Sequence, residues 1–126
     1  DEDIEEGTFT VKFDVTALDN DYYLASTTDA SLTYHMERNG VVIATSTLAM
    51  LTATANTEAN GNFKVSEGDT ETFTLTVVLN PDVAGLYTLQ LDTLNFSLTN
   101  TGLVDSQSII LEPSADFETD AFALSA

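Results

Sequence analysis

Acidic and amide side chains lie close together near the start of the chain. Asp19, Asn20 and Asp21 are consecutive, and Asp14 lies shortly before them. Oxygen ligands of this kind, presented by a turn, are what calcium prefers. We therefore expect a candidate Ca²⁺ site at Asp14, Asp19, Asn20 and Asp21, although their spacing differs from that of an EF-hand loop. A solvated acidic turn is the competing interpretation of the same residues.

The sequence offers little for nucleophilic catalysis. It holds one histidine, His35, and no cysteine, so thiol nucleophiles, disulfides and thiolate metal sites are excluded. A serine–histidine–acid site would have to use His35, and no Gly-x-Ser-x-Gly sequence is present. His35 alternates with apolar residues, so we interpret it as an exposed residue on the polar face of a strand. We expect no enzyme activity and no required cofactor.

The charge balance excludes two classes of partner. The chain carries 21 acidic and 3 basic residues, a formal net charge of −18. Binding to nucleic acid or to anionic membrane surfaces requires clustered Lys and Arg, which this sequence does not have. A net charge of this size keeps a protein soluble, but the like-charged side chains repel one another in the compact state. Bound cations or salt would relieve that repulsion. No apolar run approaches the roughly 20 residues of a membrane span.

Strict alternation of apolar and polar residues predicts two long strands. Residues 8–17 carry apolar side chains at every second position. Thr70–Leu79 alternates in the same way and presents threonines on its second face. We expect Phe73, Leu75, Val77 and Leu79 to face inward.

Shorter signals complete the strand pattern. Asn39 and Gly40 both tolerate positive φ and predict a two-residue hairpin that pairs Met36 with Ile43. Between residues 87 and 96 the apolar positions change parity, which predicts a β-bulge near residue 92 that returns both sets to one face. Residues 56–62 have the composition of a loop.

These signals predict an all-β domain of about eight to ten short strands, an antiparallel β-sandwich. We assign residues 1–7 to an acidic tail or linker, residues 8–112 to the sandwich and residues 113–126 to a C-terminal tail. Sheet edges need to be covered, and an added strand can cover one. The C-terminal tail is therefore a candidate docking strand.

Residues 73–89 resemble the E-to-F region of immunoglobulin-like domains. In that family a strand leads to a corner with a Gly-x-Tyr pattern, and the tyrosine hydroxyl bonds back to the backbone. Gly85 and Tyr87 fit that pattern, and Leu89 stands where the family has its second cysteine. The sequence departs from the pattern in having no tryptophan and in placing Asp82 three positions before the glycine. The resemblance implies an Ig-like sandwich such as those of bacterial cell-surface, adhesin or filament proteins; a jelly roll is the alternative.

These observations together predict a non-enzymatic structural module of a prokaryotic cell-surface or extracellular filament assembly. We expect it to act through sheet-edge pairing with copies of itself or with neighbouring domains. The chain begins at Asp1 and not at methionine, which favours an exported, extracellular protein. The alternative is a ligand-binding module for carbohydrate or protein, for which Tyr22 and Tyr23 are the candidate aromatic contacts.

Overall fold

The computed structural model describes residues 7–26, 32–43, 47–59, 61–81, 83–99, 107–110, 117–119 and 122–124. Within these ranges the protein is all-β, with eleven strands and no α-helix. The strands are β1 (Gly7–Thr16), β2 (Tyr22–Leu24), β3 (Leu32–Arg38), β4 (Val41–Ile43), β5 (Thr47–Ala53), β6 (Asn56–Thr57), β7 (Phe63–Val65), β8 (Thr70–Leu79), β9 (Gly85–Phe96), β10 (Gln107–Ile110) and β11 (Phe122–Leu124). They pair antiparallel into three sheets.

The first sheet has β8 at its centre, between β1 and β5. The predicted alternation of β8 is confirmed, because its four inward-facing apolar side chains have no exposed surface. β1 alternates between buried and exposed residues along its whole length. The other face of this sheet carries threonines from all three strands; for example, Thr16 Oγ1 lies 2.8 Å from Thr70 Oγ1.

The second sheet has β9 at its centre. On one side lie β3 and then β4, and on the other lie β10 and β11. The predicted hairpin between β3 and β4 is confirmed: Met36 pairs with Ile43, and Asn39 and Gly40 have φ values of 53° and 85°. Positive φ at both central residues is the type I′ geometry, which suits the twist of a two-residue hairpin.

A β-bulge interrupts the pairing of β3 with β9, as the parity change predicts. Thr33 pairs with Thr93 and Tyr34 with Leu91, so Asp92 is the additional residue. The bulge keeps Leu91 and Leu94 on the same side of the sheet, where both are buried. Without it, the strand beyond Leu91 would turn its apolar side chains outward.

The third sheet is small, in the order β2-β7-β6. Residues 56–62 are not entirely loop as predicted, because Asn56 and Thr57 pair with β7. β7 is therefore a central strand, although its short length is typical of an edge. This sheet meets the end of β9 through two 2.8 Å backbone hydrogen bonds between Tyr23 and Ser97.

Buried side chains from all three sheets form one hydrophobic cluster. Phe73 lies at its centre, with the ring of Phe13 stacked 5.5 Å away and the ring of Phe63 edge-on at 5.6 Å. Among the described residues, every buried side-chain nitrogen and oxygen has a hydrogen-bond partner. No helix within the described ranges is long and apolar enough to cross a membrane.

The corner before β9 is held by two contacts. The buried Tyr87 hydroxyl donates a hydrogen bond to the carbonyl of Val83. Gly85 lies against the aliphatic stem of Arg38, so that a Cβ at position 85 would be 2.7 Å from Cγ of that arginine. Space, and not a positive φ, therefore requires glycine at position 85.

We expect Tyr87→Phe to lower the free energy of unfolding by about 1 kcal/mol, because it removes one intramolecular hydrogen bond and leaves the ring in place. Urea denaturation would measure this change. Tyr23→Phe, at a partly exposed tyrosine, is the control and should stay within about 0.5 kcal/mol of the wild type. Equal losses in the two variants would contradict the role assigned to the Tyr87 hydroxyl.

We expect Gly85→Ala to destabilise the fold by about 1–3 kcal/mol through overpacking against Arg38. Arg38→Ala should relieve the overlap, so the double variant should be more stable than the sum of the two single losses indicates. A double-mutant cycle in urea measures the coupling. Strict additivity would show that contact with Arg38 is not the reason for glycine at this position.

Candidate functional site

The four residues of the predicted calcium site have different surroundings. Asp14, on the exposed face of β1, accepts a 2.7 Å hydrogen bond from the Thr72 hydroxyl. Asp21 accepts a 2.8 Å bond from the Glu67 N–H and lies 3.6 Å from Lys64 Nζ. Asp19 and Asn20 are exposed in the bend between β1 and β2. Among the described residues, no three His, Cys, Asp or Glu side chains form a group able to hold a metal ion. Calcium binding stays a prediction from the sequence.

His35 is the centre of a charged cluster on the outer face of the second sheet. Its Nδ1 lies 2.7 Å from Asp92 Oδ2 and its Nε2 lies 2.8 Å from Glu37 Oε2. Glu37 is two residues further along β3 and so shares the face of His35, whereas Asp92 is the bulge residue of β9. The interpretation of His35 as an exposed residue is wrong, because its side chain keeps only 26% of its surface.

The environment of His35 favours its charged form. Burial lowers the pKa of the imidazole, but the hydrogen bonds and negative charges of Glu37 and Asp92 outweigh it, and the pKa is raised above its usual value. Only the protonated ring can donate a hydrogen bond through both nitrogens. The cluster is therefore an ionic link between β3 and the bulge of β9.

One half of this cluster carries a signal in the sequence, and the other half does not. The spacing of His35 and Glu37 places them on one strand face, a local signal. Asp92 is far away in the chain and reaches His35 only through the register of β3 on β9. The parity change that predicts the bulge was the available signal, but it does not indicate which strand lies opposite.

A second candidate is formed by strands without charge at the ends of their sheets. From residue 39 to residue 57 the sequence contains no Asp, Glu, Lys, Arg or His. In the described part of the chain this segment supplies β4, β5 and the two-residue β6, each the last strand of its sheet. We call β4 and β5 the uncharged edges. Of the seven large hydrophobic side chains that are exposed among the described residues, they carry four, namely Val41, Val42, Leu48 and Met50.

The backbone of β5 leaves half of its hydrogen-bonding groups unused by β8. Just beyond β5, the Thr54 N–H donates to the Thr72 carbonyl at 3.0 Å. Because antiparallel ladders alternate, the N–H and C=O groups of Leu48, Met50 and Thr52 face β8. Those of Ala49 and Leu51 therefore face outward. No strand within the described ranges pairs with them.

Natural proteins usually protect such an edge with charges, proline or a bulge. β1, at the opposite edge of the same sheet, carries Lys12 and Asp14. β5 has neither a charge nor a proline, and its register on β8 is continuous. The edge formed by β5 is thus suited to pairing with another strand.

No known family model, curated protein or solved structure shows a significant match to this chain. Its function is therefore inferred from the chemistry of the described residues.

We expect the stabilisation from His35 to depend on pH. A folded-state pKa above the unfolded value gives stability that is complete below about pH 6.5 and is lost as the pH rises through the folded pKa. His35→Gln should therefore lower the free energy of unfolding more at pH 5.5 than at pH 8.5. Urea denaturation at the two pH values measures this difference. Asp92→Asn should weaken the same pH dependence.

Glu118→Gln is the control for losing one carboxylate. Glu118 forms an isolated antiparallel backbone bridge with Gln90, and Gln90 is the pairing partner of His35. Glu118 therefore lies on the same face of the sheet as His35, but one strand further away. The pH dependence should survive this change. A His35→Gln loss that is equal at the two pH values would contradict the ionic link.

Proposed function

We propose that this protein is a non-enzymatic structural module of a prokaryotic cell-surface or extracellular filament assembly, and that its copies join through the edge of β5. The observation that carries the proposal is the uncharged edge. The chain has a net charge of −18, yet β5, at one end of the first sheet, carries no charged residue. The exposed fractions of its Leu48 and Met50 are 65% and 50%.

The strand order supports an Ig-like sandwich as the architecture of this module. The order β1-β8-β5 corresponds to strands B, E and D of that fold, and β10-β9-β3-β4 corresponds to G, F, C and C′. The Tyr87 hydroxyl bond to Val83 has the form of the tyrosine corner. The jelly roll of two Greek keys would order the strands differently.

Electrostatics favours a second copy at this edge over contacts elsewhere on the surface. Two molecules with the same large negative charge repel wherever carboxylates face each other. The repulsion is smallest where neither surface carries charge, and residues 39–57 are a long stretch with that property. Apolar side chains exposed there gain from being covered.

The geometry of β5 allows it to pair with itself. Antiparallel pairing about a two-fold axis near Met50 would bring Leu48 of one copy beside Thr52 of the other. The outward N–H and C=O groups of Ala49 and Leu51 would then complete a ladder across the interface. An interface of this kind uses the same patch on both subunits.

Two further features support the non-enzymatic and extracellular parts of the proposal. Both ring nitrogens of His35 are engaged by carboxylates, so neither is free to act as a base. The threonine-covered outer face of the first sheet and the lack of cysteine suit a module in which rigid sheets carry the function.

Sedimentation velocity at increasing protein and salt concentration tests the proposal. We expect self-association that strengthens with salt, because screening reduces the repulsion between acidic copies. Met50→Lys should abolish it, since a lysine on an edge strand is one of the devices that prevent edge pairing. Ala49→Pro should do the same by removing an outward N–H that β8 does not use.

Lys12→Ala is the matched control, because it changes charge on the opposite edge of the same sheet. Association should persist in this variant. A wild-type protein that stays monomeric at all salt concentrations would overturn the proposal. Association that survives both Met50→Lys and Ala49→Pro, with melting temperatures unchanged, would overturn the choice of β5.

A further inference from the structure

An apolar cavity of about 290 Å³ opens where the three sheets meet. Its lining includes four aromatic rings, and inward-facing residues of β1 and β9 close its sides. The apolar lining residues are Phe13, Val15, Tyr22, Leu94, Phe96 and Phe117. The rings of Tyr22 and Phe96 are 4.8 Å apart and tilted.

The size and lining of this cavity suit a small aromatic molecule. A cavity of about 150 Å³ lined by aliphatic and aromatic side chains is enough to bind benzene. The present cavity has almost twice that volume and is partly open to solvent. Tyr22, Phe96 and Phe117 are partly exposed around it, so a ligand ring could contact aromatic faces and edges, which adds to the gain from burial.

The rim of the cavity offers hydrogen bonds. Asp14 and Thr16 of β1 lie beside it. The Ala17 N–H donates to the Asp69 carbonyl at 3.1 Å, so by alternation the backbone groups of Asp14 and Thr16 face away from β8. No strand within the described ranges pairs with that side of β1.

The charge of the protein restricts the ligand further. Among the described residues that line the cavity there is no Lys or Arg, and the one ionisable carboxyl group belongs to Asp14. With a net charge of −18, the surrounding field attracts cations and opposes anions. An anionic ring would also lose hydration without gaining a partner.

We infer that this cavity is a binding site for a small molecule with one aromatic ring and a neutral or positively charged hydrogen-bonding group. The ring enters between β1 and β9, and the polar group reaches the backbone of Asp14 and Thr16 at the rim. This inference is independent of pairing through β5, because the cavity lies beside β1 at the opposite edge of the first sheet.

The test is a titration of the whole chain with three probes of similar size, namely benzylamine, benzyl alcohol and benzoate, and the binding is followed by methyl NMR. The Val15 and Leu94 methyl signals should shift in a saturable way with benzylamine and benzyl alcohol, with dissociation constants of roughly 1 mM. Benzoate should bind about tenfold more weakly or not at all. The Leu79 methyl signals, at the far end of β8, should not move.

Two variants test the location of the site. Leu94→Phe adds a ring inside the cavity and should abolish the shifts at Val15, while Phe117→Ala removes one wall and should weaken binding about tenfold. Phe63→Leu is the control, because it alters a core ring that does not line the cavity. Melting curves for each variant establish that it is folded.

Every outcome of the titration either supports or overturns the assigned binding site. Saturable shifts at Val15 and Leu94 that Phe117→Ala weakens and Phe63→Leu leaves unchanged would support the site. The absence of saturable shifts in the wild type would overturn it, as would shifts spread equally to Leu79. Binding of benzoate as tight as that of benzylamine would overturn the assigned ligand class.

Discussion

The bulge at Asp92 is the local constraint on which several features of the second sheet depend. One residue added to β9 lets the strand bury Leu91 and Leu94 on the same face. An unbulged strand would expose the apolar side chains beyond Leu91, at roughly 1.5–3 kcal/mol for each large one. The same residue sends its carboxylate to His35, so the bulge has a partner on β3. It also turns Leu94 and Phe96 toward the cavity, which could not form its present wall without them.

The net negative charge destabilises the folded state, whereas the hydrophobic core stabilises it. The sequence holds 21 acidic residues against 3 basic ones, and repulsion within so large a net negative charge opposes compactness. Two basic side chains offset part of this repulsion by pairing with nearby carboxylates. Lys64 faces Asp21, and His35 lies between Glu37 and Asp92. The remaining repulsion is balanced by the apolar cluster, because burial does not depend on charge. In so acidic a protein, an uncharged stretch that forms end strands of three sheets is a distinctive feature.

The sequence predicts most of the strands because the alternation of apolar and polar residues along each long strand indicates which of its faces is buried. The alternation in β1 and β8 and the positive-φ pair Asn39 and Gly40 are local signals, and the structure confirms them. The composition of residues 56–62 predicts a loop, because two polar residues such as Asn56 and Thr57 carry no periodicity. Their pairing with β7 is imposed by the third sheet. The partner of His35 and the ring-lined cavity depend in the same way on which strands become neighbours, and periodicity along one strand does not contain that information.

The division of roles between faces and edges explains why the fold is easier to infer than the function. Inward faces carry the large side chains, and their alternation is constrained because a shift of one residue would invert them. Edges are constrained only by what must or must not pair with them. β1 carries Lys12 and Asp14 and is protected against a strand from another copy, yet it borders a cavity suited to a small ligand. β5 has no such protection. The two edges of one sheet therefore differ in the partners that they can accept, and this difference arises from a few side chains on a shared scaffold.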